Sequence, residues 1–143
     1  MTHAKPHTIA ARVYYEDTDA GGIVYHANHL RFAERGRTEF LRHLGYDHKR
    51  IMDEFGVLLV VRHAAIDYRA AGYLDDNLTI ETTVAEVGNT SITMPQKILR
   101  DGKILAELQV IVVAITREGR AVRIPSQLRQ IFGEISSPSH SRS

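Results

Sequence analysis

The stretch YYEDTDAGGIVYHAN, residues 14–28, joins a strand pattern to a helix pattern. Residues 9–15 are mostly apolar, as in a partly buried strand, and a helical pattern begins at about Asn28, a residue type that caps helix N-termini well. Between them, the pair Gly21-Gly22 permits a turn with positive φ. Carboxylates and an imidazole therefore lie at a junction between two elements, where catalytic residues are often found, and we expect a functional site there.

One amphipathic helix follows this junction. Its predicted apolar face consists of Leu30, Ala33, Phe40, Leu41 and Leu44. Gly45 is a suitable end for this helix, and a short second helix is expected at about residues 48–55. The first-turn amides of the long helix, and the positive end of its dipole, should point back toward the Asp-Gly-Gly segment.

Period-two alternation of apolar and polar residues dominates the chain from residue 57 onward. Strands are predicted at residues 57–68, 78–84, 91–100, 103–116 and 121–124, followed by a last helix from Ser126. Asp101-Gly102 is a strong hairpin signal, whereas Pro95 cannot donate to a ladder and argues for a sheet edge or a bulge. The order predicts an α+β fold in which a curved antiparallel sheet packs on one long helix, with a short C-terminal helix.

The chain has 143 residues, which predicts one domain over residues 1–135 and a disordered Ser-rich tail over residues 136–143. A single helix, roughly 10 Å wide, leaves part of the sheet uncovered, so self-association is expected. The net charge of +1 favours no nucleic-acid partner. The chain has no cysteine, no apolar run long enough to enter a membrane and no signal-peptide pattern at its start, so we expect a cytoplasmic protein.

The pair Asp17 and Asp19 has a plain interpretation, as two solvated turn carboxylates, and a chemical one. Gly21 and Gly22 would let a ligand approach main-chain amides, and the following helix start offers donors for a developing oxyanion. A carboxylate beside such donors can attack an acyl carbonyl or activate water against it. His26 is either a surface histidine or a general acid or base beside the carboxylate; spacing alone does not separate these.

Other chemistries fit the sequence poorly. A calcium loop that starts at Asp17 would require a bidentate Glu where Asn28 stands. His26 and His29 with Asp19 form a weak zinc signal, and we expect no metal; His29 should face solvent or pack locally. Gly-x-Ser-x-Gly and the phosphate-binding Gly-Lys-Ser/Thr are both absent from the chain, which argues against a serine hydrolase and a nucleotide triphosphatase.

The run from Arg12 to Asn28, with Phe32-x-Glu34-Arg35-x-Arg37-Thr38-Glu39 after it, closely resembles hotdog-fold acyl-CoA thioesterases of the 4-hydroxybenzoyl-CoA thioesterase superfamily. Within that superfamily it is most similar to the YbgC branch associated with the bacterial Tol-Pal system. The resemblance covers about residues 8–133. It implies a hotdog fold, with an antiparallel sheet wrapped around one long helix, and active sites at the interface of a homodimer that can pair into a homotetramer.

The resemblance also implies roles for individual residues. Asp19 is the expected catalytic carboxylate, as nucleophile or general base, with Asp17 secondary. The backbone amide of His26 is the expected oxyanion donor, and its ring is implicated in catalysis as well. Tyr25 would line the same pocket, and Gly22 and Asn28 are the other expected substrate-binding residues of the segment. Some relatives carry a basic cluster at the turn where this chain has Gly88-Asn89-Thr90-Ser91, so their phosphate contacts do not carry over. Thr90 and Ser91 are expected to bind the substrate without such contacts, and Arg62 is either a coenzyme A contact or an exposed strand charge. No cofactor or metal is required, because a thiolate leaves readily.

Two positions depart from the YbgC pattern. His29 stands where those relatives usually have Tyr, and Gly36 stands inside the helix where they often have Ala. Glycine in a helix interior costs about 1 kcal/mol relative to alanine. Gly36 therefore either marks a close approach by a partner subunit or the acyl chain, or has no function.

The sequence thus predicts an enzyme that hydrolyses acyl-CoA to a free acid and coenzyme A. The alternative is a module that binds acyl-CoA or acyl carrier protein, or that scaffolds envelope or phospholipid metabolism with little turnover. Acyl carrier protein is a possible partner in either case.

Overall fold

The computed structural model describes residues 6–136, so residues 1–5 and most of the predicted tail, residues 137–143, lie outside the described part. The elements are β1 (His7–Arg12), α1 (Asn28–His43), α2 (His48–Phe55), β2 (Val57–Tyr68), β3 (Asn77–Thr82), β4 (Glu86–Val87), β5 (Ser91–Arg100), β6 (Lys103–Thr116), β7 (Ala121–Val122) and α3 (Ser126–Ile135). A single 3-10 turn (Tyr15–Asp17) follows β1. Within this range, no helix is both long and apolar enough to cross a bilayer.

All strands belong to one antiparallel sheet. The main order is β1-β3-β5-β6-β2, and the short strands β4 and β7 pair with β5 and β6. The β5–β6 hairpin turns at Asp101 and Gly102, whose φ angles of 51° and 80° are those of a tight type I′ turn. The α+β arrangement predicted from the sequence is confirmed, with one long helix on one face of a curved sheet.

Pro95 corrects one expectation, because it lies in an interior strand, β5, and not at an edge. It is not at a bulge either, since the register of β5 against β6 shifts only between Ile98 and Leu99. Its carbonyl accepts a hydrogen bond from the Thr83 amide, just after β3 ends. The N–H and C=O groups of a strand residue point to the same side. The missing N–H therefore falls at the gap between β3 and β4, where the ladder is already interrupted.

Helix α1 packs on the inner face of the sheet through a stripe that includes Phe32, Ala33, Gly36 and Phe40. Leu30, which was predicted on this face, is instead exposed. The stripe includes Gly36 because the helix approaches β3 and β5 closely: a Cβ there would lie 2.6 Å from Cγ2 of Ile80. The close approach is to the chain's own sheet.

Strand β2 forms one edge of the sheet, and Val61–Tyr68 are mostly exposed. A register shift between Val61 and His63 makes Arg62 a bulged residue. An exposed edge strand with apolar side chains is a common site of association with another chain.

Candidate active site

The site loop is anchored where it leaves β1. The Val13 amide donates to the Asp76 carbonyl, and the Asp75 amide donates to the Val13 carbonyl, at 2.8 and 2.9 Å. A small hairpin follows, in which the Tyr25 amide donates to the Asp17 carbonyl and Thr18 pairs with Val24. The chain therefore reverses direction between Asp17 and Tyr25, and the start of α1 lies beside the end of β1.

Asp17 is the buried carboxylate of the pair, with only 3% of its surface exposed. Its Oδ2 accepts a hydrogen bond from the Tyr14 amide at 2.9 Å, and its Oδ1 accepts one from Nδ2 of Asn28 at 2.8 Å. Both oxygens are thus engaged by the fold. The predicted N-cap role of Asn28 is wrong. Ala27 holds the cap position without a side-chain hydrogen bond, Asn28 is the first residue of α1, and its side-chain amide binds Asp17 instead.

Asp19, in contrast, is exposed at the tip of the hairpin. Its Oδ1 accepts a hydrogen bond from the Gly21 amide at 2.8 Å, and its backbone pairs with Ile23 and Gly22. Gly22 has a φ of 82°, which favours glycine at this turn. Oδ2 of Asp19 has no hydrogen-bond partner among residues 6–136, so one oxygen is oriented and the other is open to a reactant.

The helical turn before α1 carries the free amides of the site. The backbone N–H of Asn28 donates to the Tyr25 carbonyl at 2.8 Å, which closes the turn. Across the described chain, the N–H groups of His26 and Ala27 have no acceptor. First-turn amides lack an intrahelical partner and lie at the positive end of the helix dipole, so they suit an anionic oxygen.

The side chains of Tyr25 and His26 are both exposed, and their ring centroids are 4.6 Å apart. The His26 carbonyl accepts hydrogen bonds from the Tyr68 hydroxyl and from Nδ1 of His29, each at 3.0 Å. Because a carbonyl only accepts, Nδ1 of His29 carries a proton.

His29 is buried and does not face solvent; its ring packs edge-on against Tyr68 with centroids 5.0 Å apart. This burial lowers the pKa of His29, while its hydrogen bond to the His26 carbonyl acts in the opposite direction. The ring is consequently a neutral donor near neutral pH. Within residues 6–136, no three His, Asp or Glu side chains group in a way that could hold a metal ion.

Within one chain, three of the predicted substrate-binding residues lie far from the site loop. They are Arg62, Thr90 and Ser91. Tyr68, which touches His26, pairs with Ala106, whereas Ser91 pairs with Val113. These two positions on β6 are seven residues apart, which is about 23 Å along a strand. Ser91 and its neighbour Thr90 are therefore at the other end of the sheet. Arg62 lies close to that end, since its neighbours Val61 and His63 pair with Val112 and Ile111.

An apolar cavity of about 490 Å³ lies between α1 and β2. Its floor includes Ile92, Met94 and Val112, and Leu30 lines it near the start of α1. Arg37 is the half-buried cation of this cavity; it donates to Oε1 of Gln96 at 2.9 Å.

Sequence reasoning missed Tyr68 as a site residue. It lies 42 positions beyond His26, at the last residue of β2, and only strand alternation places it on the face that carries α1. No local motif marks it.

Comparison with known proteins places this geometry in a family. The model of the thioesterase-like superfamily matches residues 13–132. The acyl-CoA thioesterase YbgC of Haemophilus influenzae is 42% identical over 122 residues, which cover 85% of this chain and 90% of that protein. The acyl-CoA thioester hydrolase YbgC of Escherichia coli O157:H7 is 45% identical over 105 residues, 73% of this chain and 78% of its own length.

The crystal structure of a probable thioesterase from Bartonella henselae superposes with a TM-score of 0.81 at 36% identity, covering 84% of this chain and 99% of that one. This likeness confirms the hotdog fold that the resemblance implied. The chain described here belongs to the thioesterase-like superfamily.

Proposed function

We propose that this protein is an acyl-CoA thioesterase, which hydrolyses the thioester to a carboxylic acid and coenzyme A, and that Asp19 is its catalytic carboxylate. The observation that carries the proposal is the pairing of a carboxylate with one open oxygen and two unoccupied helix-start amides in one short segment. The curated relatives with 42–45% identity are named acyl-CoA thioesterases or acyl-CoA thioester hydrolases, which supports the same activity.

In this proposal the thioester carbonyl carbon lies against the open oxygen of Asp19, and its oxygen lies against the His26 N–H. Asp19 either attacks the carbon directly or takes a proton from a water molecule that attacks it. Negative charge then develops on the carbonyl oxygen, and fixed amide donors stabilise it. The C–S bond then breaks, and coenzyme A leaves as a thiolate that takes up a proton. After direct attack the acyl group remains on Asp19 as a mixed anhydride, whose acyl–oxygen bond a water molecule cleaves to free the carboxylate; in the general-base route the attacking water gives the acid directly. In both routes water supplies the second oxygen of the acid.

Asp17 has a different role in this scheme. Both of its oxygens accept hydrogen bonds from Tyr14 and Asn28, so it holds the loop in place. The ring of His26, which is exposed beside Tyr25, is proposed to assist proton transfer, and Gly22 and Tyr25 are proposed to border the acyl group.

We further propose that the working enzyme is a homodimer or homotetramer. Arg62, Thr90 and Ser91 can contact a substrate held at Asp19 only if a second copy brings its own far end of the sheet to this loop. The exposed edge strand β2 suits such pairing. Sedimentation equilibrium should show at least a dimer; a monomer that turns over substrate would refute this arrangement.

The activity itself is tested by a turnover screen of the purified protein with propionyl-, octanoyl-, palmitoyl- and benzoyl-CoA, followed by the release of free thiol. We expect turnover of at least one acyl class. Binding of these thioesters without thiol release would refute hydrolysis and support the noncatalytic binding module instead. The same acyl groups on acyl carrier protein show whether a carrier protein is also a donor.

A further inference from the structure

The carbonyl oxygen of His26 accepts from three donors. The hydroxyl of Tyr68 and Nδ1 of His29 each lie 3.0 Å from it, and the backbone amide of His29 lies at 3.3 Å. Tyr68 comes from the end of β2 and His29 from the first turn of α1, so two separate elements meet on this one atom.

The peptide unit that contains this carbonyl also contains the Ala27 N–H. The two groups lie in one plane and point in opposite directions. Donors that hold the oxygen therefore fix the direction of the Ala27 N–H as well. Hydrogen bonds to a carbonyl also polarise its peptide unit, which makes the N–H a stronger donor.

Neither the Ala27 N–H nor the adjacent His26 N–H has an acceptor within residues 6–136. Ala27 has helical angles, φ −69° and ψ −20°, so both amides belong to one helical turn. Consecutive free amides at the start of a helix form a site for an anionic oxygen.

We propose that Tyr68 and His29 are positioning residues, which hold the His26–Ala27 peptide so that Ala27 N–H acts as a second oxyanion donor beside His26 N–H. This inference rests on the proposed thioesterase function. His29 suits the task because it is buried, packs against the Tyr68 ring and stays neutral with its proton on Nδ1.

The first test is Tyr68→Phe, which keeps the ring that packs on His29 and removes only the hydroxyl. Because an oxyanion contact is stronger in the transition state than in the bound substrate, kcat should fall about tenfold while KM changes less than about twofold. The matched control is Tyr73→Phe. Tyr73 is similarly exposed, and its hydroxyl has no hydrogen-bond partner in the described range, so kcat should stay at the wild-type value.

The second test uses His29. His29→Phe removes the Nδ1 donor and should lower kcat by about the same factor, whereas His29→Asn places an N–H near the same position and should recover most of the loss. Carbon-13 labelling of the His26 carbonyl gives a readout independent of activity: its resonance should move in Tyr68→Phe and His29→Phe but not in Tyr73→Phe.

Thermal denaturation shows whether each variant is folded. Tyr68→Phe and His29→Phe each remove one donor to the same oxygen, so if one of them does not fold, the kcat of the other still tests the positioning role. An unchanged kcat in the folded variants, or an effect confined to KM, would overturn the positioning role and leave the proposed function intact. A wild-type protein with no turnover on any acyl-CoA would overturn both.

Discussion

The side-chain amide of Asn28 donates to the carboxylate of Asp17 across a separation of 11 residues, and this buried contact joins the first turn of α1 to the loop that carries Asp19. The second oxygen of Asp17 accepts the Tyr14 amide. The acidic pair therefore divides its roles by burial: one carboxylate organises the loop, and the other is open to a reactant.

We predict that Asp17→Ala lowers the free energy of unfolding by about 3 kcal/mol, because it leaves the Tyr14 amide and the Asn28 side chain without their acceptor. Urea denaturation measures this change. Glu16→Ala is the control, since Glu16 is exposed in the same turn and should change stability by less than about 0.5 kcal/mol. Equal stabilities of the two variants would contradict the organising role of Asp17.

Gly36→Ala should destabilise the protein although alanine is the better helix former. The added Cβ would lie 2.6 Å from Cγ2 of Ile80 and 3.0 Å from Oγ1 of Thr82, so helix and sheet must separate. Overpacking of this kind costs about 1–3 kcal/mol. Gly133→Ala in α3 is the matched control: nothing lies within 4 Å of its Cβ, and it should stabilise by up to about 1 kcal/mol. A Gly36→Ala variant as stable as Gly133→Ala would contradict the close approach.

Stability should fall as the pH drops through 6.5, in part because of His29. Its burial holds the folded-state pKa below the ordinary value of 6.5, so the unfolded chain binds more protons in this range. The contribution of neutral His29 is fully present above pH 6.5 and is lost as the pH falls below it. Unfolding free energies of wild type and His29→Asn at about pH 7.5 and 5.5 measure this, with a smaller pH dependence expected for the variant. An identical dependence would rule out His29 as a contributor.

His26→Ala should reduce kcat, but less than loss of the carboxylate does, because it removes the ring and leaves the backbone N–H in place. About a hundredfold is expected, the lower end of what one positioned proton-transfer group contributes. His43→Ala, which removes another exposed imidazole at the opposite end of α1, is the control. If His26→Ala were as inactive as a variant without the carboxylate, the ring and not the amide would be the main contribution of His26.

The sequence predicted the element order well, since period-two and helical patterns reflect which face each residue turns to the core. The helix at residues 48–55 and the strand at 103–116 have the predicted bounds. The sequence patterns gave wrong predictions where the position of a side chain depends on a tertiary contact. Asn28 looks like a cap but binds Asp17, and Leu30 fits the helical face but lies beside an open cavity.

The site could be predicted only in part for the same reason. Residues 14–28 are local in sequence, so their grouping was visible in the sequence. Tyr68 reaches His26 only through the sheet, and no spacing in the sequence shows this. The separation of Ser91 from Tyr68 likewise follows from strand register, which depends on how whole strands pair.

The central claim is that the open carboxylate of Asp19 performs the chemistry, and Asp19→Asn tests it most directly. The substitution keeps the side-chain oxygen that accepts from the Gly21 amide, so the loop should stay folded and the melting temperature should be unchanged. With the best acyl-CoA from the screen, kcat should fall by at least about a thousandfold, since neither attack nor water activation remains. Turnover at the wild-type rate in a folded Asp19→Asn protein would contradict the account.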